Sequence, residues 1–285
     1  MTKNFTVHDF FKKFPDDDSC LNHLFAIRYG EKAKCRKCKK ISKFSRIKKM
    51  PAFACQWCGN HIHPMAGTPF HRSRTPLQKW FYAMYLFTTS RHGVAAKELQ
   101  RQLGVTYKCA WRMAHEIRKY MGKVDGDSNL SGHVEVDETY VGGKRPGPCG
   151  HGLKHKTIVF GMLARNGDVM TRIVPNAKRK TLVPIIVRKV KRGSTISSDE
   201  WSAYKKLNEH GYTHGQVNHS EKEYVRGIHH TNSLEGFWSQ LKRGIRGTHI
   251  HVSRKHLKKY LGEFEFRYNM RANPSQMFDR LILAF

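Results

Sequence analysis

Two tight cysteine pairs constrain this chain more than any other feature. Cys35-x2-Cys38 and Cys55-x2-Cys58 are separated by the 16 residues 39–54, within the spacing range of a four-cysteine zinc site. Each pair forms a knuckle that presents two thiolates, and two knuckles complete a tetrahedron. No coordination position is left open, so a single Zn²⁺ there is structural. The intervening segment suits a small β-hairpin, which predicts a zinc ribbon over residues 31–65. Four free thiols in a basic loop, or a redox pair, are the duller readings. His61 and His63 stand close enough in sequence to replace a ligand, but the four-cysteine set makes that unnecessary. Cys20, Cys109 and Cys149 have no partner spacing and read as ordinary small residues. An odd total of seven cysteines, four of them in tight pairs, does not fit a disulfide framework.

Charge narrows the partner. Lys and Arg number 52 against 22 Asp and Glu, so the formal net charge is 52 − 22 = +30. Solubility alone needs a net charge of roughly 2–8. An excess this large attracts a polyanion, and nucleic acid is the default partner because phosphate contacts release counterions. Apolar residues make up 39% of the chain and aromatics 11%, which excludes disorder throughout. No apolar run approaches the ~20 residues that span a bilayer. The opening MTKNFTVHDFFKKFPDDDSC lacks a signal peptide's apolar core and cleavage site. The expectation is a cytoplasmic, nucleoid-associated protein with no membrane partner.

The order of segments predicts a helical lead-in over 1–30, the ribbon, a helix-turn-helix domain over 75–122, a linker over 123–132, an α/β domain over 133–275 and a tail over 276–285. Thr75 followed by Pro76 reads as an N-cap and first helical position, with that helix running to about Ser90. VAAKELQRQLG ends at Gly104, and Thr106 can cap the next helix, where Ala110, Ala114, Ile117 and Met121 share one face. As a recognition helix it would aim Thr106, Tyr107, Lys108 and Arg112 at a major groove, with Arg118 and Lys119 on phosphates. As a plain helical hairpin it would use Trp111 and Ala114 as core.

Beyond the linker, Val134 and Val136 alternate with Glu135 and Asp137, which predicts a strand with one wet face. KTIVFGMLAR and DVMTRIVP read as strands joined by a turn at 166–168, TLVPIIVRKVKR as a helix and STISSD as a strand, with another near Gln216–His219. In so basic a chain the acids are informative. Asp137, Asp199 and Glu235 are separated by 199 − 137 = 62 and 235 − 199 = 36 residues. Gathered at one end of a sheet, they could bind Mg²⁺, a hard cation that prefers oxygen. Two such ions about 4 Å apart serve phosphoryl transfer. Lys242 lies two helical turns beyond Glu235 and could hold phosphate. Each acid also has a plain reading. Asp199 can cap a helix starting at Trp201, and Asn232-x-x-Glu235 resembles a capping box. Glu135 shares Asp137's face and could be the ligand instead or pair with a lysine. Lys242 and Arg243 could form a solvated basic face.

VEVDETYVGGKRPG, SSDEWSAY and HHTNSLEGFWSQLKRGIRGTHIHVSRKHLKKYLGEFEFRYN together resemble bacterial insertion-sequence transposases of the DDE class. The subgroup is the one with an N-terminal zinc ribbon, and the resemblance covers about residues 20–275. It implies an RNase H-like catalytic domain, a mixed sheet flanked by helices, binding two Mg²⁺ or Mn²⁺ ions through Asp137, Asp199 and Glu235, with Lys242 as the lysine that follows. Asn232 would orient Glu235. The ribbon and helix-turn-helix would recognise terminal inverted repeats, with Arg243 and Arg246 as further DNA contacts and Arg254, Lys255, Lys258 and Lys259 either lining DNA or solvated. The implied chemistry is cleavage that frees a 3′-OH, then strand transfer into target DNA, by a dimer or higher oligomer. A non-catalytic DNA-binding regulator descended from a transposase shares the ribbon and charge. An RNase H-like nuclease or resolvase shares the acids.

Overall fold

The structure is a computed structural model that describes residues 5–124, 129–142 and 156–285. Cys149, positions 125–128 of the expected linker and the GKRPG of the first acidic motif lie outside the described residues. The chain divides into two compact units, Met1–Ser90 with Ala96–Tyr120 and Asn273–Phe285, and Arg91–Ala95 with Met121–Ala272.

The first unit opens with α1 (Val7–Lys13) and α2 (Asp17–Tyr29), each started by a capping box, Thr6 with Asp9 and Asp16 with Ser19. Short strands follow: β1 (Ala33–Lys34) pairs with β2 (Ile41–Ser42), and β3 (Phe44–Ile47), β4 (Ala52–Cys55) and β5 (His61–Ile62) form an antiparallel sheet. The hairpin expected between the cysteine pairs is β3–β4. Phe25 of α2 stacks on Phe53 of β4 at 4.2 Å. Next come α3 (Leu77–Thr89), α4 (Ala96–Leu103) and α5 (Tyr107–Val124).

Local punctuation agrees with the sequence in α5 and departs from it in α3. Gly104 is left-handed (φ +59°), and Thr106 Oγ1 accepts the Cys109 N–H at 3.3 Å. Thr75 does not cap α3, because Pro76 occupies the N-cap position, and Thr75 Oγ1 lies 3.1 Å from Cys109 Sγ. Ala110, Ala114, Ile117 and Met121 are all fully buried. Trp111 is not core. It is 39% exposed and stacks on His115, because one helical step places it off the apolar stripe. Arg118 falls four residues after Ala114, on the buried face, where it covers the Phe87 ring instead of reaching outward.

Residues 276–285 are not a tail. Most of them form α9 (Met277–Leu283), whose Met277, Phe278, Leu281 and Ile282 are buried. Phe278 meets the rings of Phe5, Phe10, Phe14 and Phe81. The i, i+1, i+4, i+5 spacing of those four residues makes an apolar face that has to be covered.

The second unit is a five-stranded mixed sheet, ordered β10-β9-β6-β7-β8. β6 (His133–Val141), β7 (Thr157–Ala164) and β8 (Val169–Val174) are antiparallel, the last two joined by a turn with Asn166 left-handed. α6 (Arg179–Lys189) leads to β9 (Thr195–Ser198), parallel to β6, and β10 (Thr213–Gln216) runs parallel beside β9. β10 begins three residues before the expected strand. The helix expected at Trp201 is a single 3-10 turn, Ser202–Tyr204. Leu130, from the expected linker, is buried and exchanges backbone hydrogen bonds with Lys189 and Lys191, so residues 129–132 belong to this unit.

Val134, Val136, Phe160, Met162 and Ile196 pack with Leu182 and Ile186 of α6. Val159 and Leu163 pack instead with α7 (Asn232–Gly244) and α8 (Arg254–Asn269), through Leu234, Phe237, Trp238, Leu241 and Leu261. The wet face expected for β6 is therefore absent at Glu135, which is fully buried. Among the described residues no helix is long and apolar enough to cross a membrane.

Candidate active site and metal centre

The four paired cysteines meet. Sγ of Cys35 lies 3.6 Å from that of Cys58, and Sγ of Cys38 lies 3.9 Å from that of Cys55, with all four inside 4.8 Å. A tetrahedron with Zn–S bonds of about 2.3 Å has edges of about 3.8 Å. The two knuckles are built alike. Cys35 N–H bonds to Lys40 O and Cys55 N–H to Asn60 O, both at 2.9 Å. The residue after each second cysteine, Lys39 (φ +61°) and Gly59 (φ +67°), turns the chain left-handed. Burial raises the Cys55 thiol, but the Ser42 hydroxyl and the Trp57 and Cys58 backbone outweigh it and bring it to about 6. At Cys38 the Lys40 backbone is outweighed by burial and the three neighbouring thiols, which push that thiol up to about 11.

The acids come from three elements. Asp137 sits mid-strand in β6, opposite Gly161 of β7. Trp238 Nε1 donates to Asp137 Oδ2 at 2.9 Å. A Cβ on Gly161 would drive into the Trp238 ring, so glycine there lets the indole lie against the sheet. Burial, then the charges of Asp199 and Glu138, push Asp137 up to about 7. Asp199 follows β9 and is raised by burial, against the Trp201 N–H that its Oδ1 accepts at 3.1 Å. It does not N-cap the 3-10 turn, whose N-cap is Trp201 without a side-chain cap bond, and its charge acts on Asp137.

Glu235 lies in the first turn of α7, where Thr231 Oγ1 donates to Oε1 at 2.9 Å and His219 Nε2 stands 3.5 Å from the same oxygen. The capping box expected from Asn232 does not form. Thr231 is the N-cap, and its hydroxyl bonds the Glu235 carboxylate. Burial depresses Lys242, and Asp137 opposes that shift. Among the described residues the cysteines are the one such group with all ligand atoms within 4.8 Å, so the three carboxylates are more widely spread.

Sequence reasoning missed three neighbours. Glu138, raised to about 7 by burial, accepts a short hydrogen bond from Tyr204 OH. Its signal was its place beside Asp137 in a strand. Trp238 was visible as Glu235 plus three on α7. His219, which acts on both Asp199 and Glu235, had no local signal.

Glu135 is neither a ligand candidate nor a lysine partner. Its carboxylate accepts from Arg165 Nε (2.8 Å), Ser233 Oγ (3.0 Å) and Leu234 N–H (3.0 Å). It thus ties β6 to the first turn of α7, beside Glu235.

With this geometry, likeness to known proteins becomes informative. A family model described as ISXO2-like transposase domain matches residues 129–269, and one described as transposase zinc-ribbon domain matches residues 15–61. An uncharacterized transposase-like protein of Haemophilus influenzae is 32% identical over 109 residues, covering 38% of this chain and 87% of that protein. The chain belongs to the ISXO2-like transposase family.

An uncharacterized protein in transposable element ISH50 of Halobacterium salinarum is 28% identical to this transposase over 243 residues, 79% of this chain and 80% of that one. A crystal structure of a pre-cleavage Mos1 transpososome aligns over 71% of this chain and 77% of that chain at 11% identity, with a TM-score of 0.30, too slight a likeness to carry an argument. The transposase-domain match contains Asp137, Asp199, Glu235 and Lys242. The ribbon match contains all four paired cysteines and the whole of α2.

Apart from the buried Arg118, most residues expected at DNA face outward. Thr106, Tyr107, Lys108 and Arg112 are exposed at the start of α5, and Arg243 and Arg246 are exposed at the end of α7 and just beyond it. Arg112 also donates to Ser73 Oγ at 3.3 Å and lies over the Trp80 ring, so part of its side chain is already held.

Proposed function

We propose that this transposase cleaves DNA at the ends of its insertion sequence and joins the freed 3′-OH to target DNA. The observation that carries the reading is the convergence of Asp137 from β6, Asp199 from the end of β9 and Lys242 from α7, with Glu235 linked to Asp199 through His219. An antiparallel meander continued by two parallel strands supports the RNase H-like assignment.

The residues fit a divalent cation. The donors are hard oxygens, and the burial and the charges of Asp199 and Glu138 that oppose ionisation of Asp137 would be offset by a positive ion held by Asp137 and Asp199, with Glu235 as the third carboxylate. Mg²⁺ or Mn²⁺ held by these carboxylates would supply Lewis-acid activation of the attacking and leaving oxygens, with two ions as the expected number. Trp238 holds Asp137 in one orientation, the Trp201 N–H does the same for Asp199, and Thr231 positions Glu235. Lys242 takes a non-bridging phosphate oxygen and keeps the scissile group in line.

The α4–turn–α5 pair serves as a helix-turn-helix that presents Thr106, Tyr107, Lys108 and Arg112 to a terminal inverted repeat. The ribbon contributes to the same recognition, with one structural Zn²⁺, and Arg243 and Arg246 hold the backbone near the reacting end. Joining two ends requires two copies or more.

The test is a strand-transfer assay with the element's terminal DNA, a plasmid target and Mg²⁺, wild type beside Asp199→Asn. Joined products that vanish in the variant support the reading. Binding without cutting by wild type refutes it in favour of a regulator, and cutting without joining in favour of a nuclease.

A further inference from the structure

Past Lys242 the backbone of α7 widens into a π-helical turn, Ile245–His249, and then bends at Ile250 with φ +62° and ψ −54°. A β-branched residue rarely takes a positive φ, and such outliers collect where function over-determines the backbone. The Ile250 side chain is 83% exposed, the highest value among the large apolar side chains exposed in the described residues. Burial would normally claim such a side chain. Here a strained backbone presents it to solvent.

Ile250 forms part of the wall of a cleft of about 250 Å³. One part of the wall is cationic, with Lys242 and Arg246. Lys156 adds a third positive charge that acts on Lys242. The rest is mostly apolar or aromatic, with Tyr140, Ile245 and Val252, beside the polar ring of His251. No described lining residue is acidic. Lys242 also feels the charge of Asp137, so the cleft adjoins the acidic site.

Phosphate beside a flat apolar ring is the chemistry of one nucleotide. We propose that this cleft receives an unstacked base from the DNA end held at Asp137 and Lys242, with Ile250 as the wedge that opens the stack and Tyr140 as the ring the base rests on. The inference rests on the DNA-joining reading above. Apolar wedges of this kind unstack base steps at a modest cost, and extruded bases are held by stacking on aromatic side chains. Because the base leaves the stack, the neighbouring phosphodiester is free to bend into the acidic site.

The experiment uses the full chain and a duplex ending in the element's own terminal sequence, with 2-aminopurine at the end or well inside it. Fluorescence should rise on binding for the end position alone. Ile250→Ala should abolish the rise and slow joining about tenfold, the size of one lost stacking contact, while Kd stays within about threefold. Ile250→Gly removes the wedge and the backbone strain together, so its Tm should equal or exceed that of wild type while the rise is lost. A mismatch at the terminal pair should restore joining by Ile250→Ala, since the base is then already unpaired. Wild type that binds and joins with no rise at the end overturns the proposal alone, as does a rise that survives in Ile250→Ala. Wild type that neither binds nor joins overturns the functional reading and the proposal with it.

Discussion

Replacing Arg165 by methionine would remove the counter-ion from a carboxylate that has no access to water. Glu135 is 0% exposed, and Arg165, at 20%, donates its Nε to Oε1 at 2.8 Å. The same guanidinium donates to Ile228 O at 2.7 Å and His230 O at 3.1 Å. His230 Nδ1 stands 3.2 Å from Oε1 without hydrogen-bond geometry, so it does not substitute for Arg165. In Arg165→Met the carboxylate keeps only the neutral donors Ser233 and Leu234. Stripping one partner from a buried ion pair costs about 3–5 kcal/mol. Glu135→Gln leaves a partly solvated guanidinium and should cost less, about 1–3 kcal/mol. The double variant buries no unpaired charge, so its cost should fall short of the sum by about 2 kcal/mol or more. Urea unfolding of the four proteins measures that coupling. A double-variant cost within about 0.5 kcal/mol of the sum refutes the argument. Because Ser233 and Leu234 adjoin Glu235, Arg165→Met should also slow joining more than it weakens DNA binding.

Cys35→Ser with Cys38→Ser should lose the zinc found in wild type and make residues 15–61 the first site of limited proteolysis, while the second unit stays folded; retained zinc refutes the assignment. Gly161→Ala should press the Trp238 ring off Asp137, costing about 1–3 kcal/mol of stability and slowing joining; an unchanged Tm and rate would show that the indole has room to move. Burial pushes Glu265 up to about 7, against the N–H it accepts from Thr171. The folded protein therefore holds that proton more tightly than the unfolded chain does, at about 4.5, and stability falls as pH rises between those values, by roughly 3 kcal/mol at most. Glu265→Gln should be stabilised relative to wild type at pH 8 and much less so at pH 4; an equal difference at both, by thermal unfolding, refutes it.

What the sequence alone determined depends on short spacing, although the caps expected at Thr75 and Asn232 do not form. Two cysteine knuckles, the α5 stripe of Ala110, Ala114, Ile117 and Met121, the turn at Asn166 and the helix carrying Glu235 and Lys242 are set within a few turns of chain, where backbone periodicity dictates which side chains share a face. The same rule applies to residues 276–285, whose apolar helix face the sequence reading passed over as a tail. Which faces become covered is another matter. Alternation along β6 placed Glu135 and Asp137 on one side of the strand, but only α7, a hundred residues later, buried Glu135 and brought Trp238 to Asp137. Glu138 with Tyr204, and His219 between Asp199 and Glu235, likewise meet across long loops. Packing decided these contacts because burial removes water from a carboxylate, and the partners that then satisfy it come from whichever distant element the core brings near.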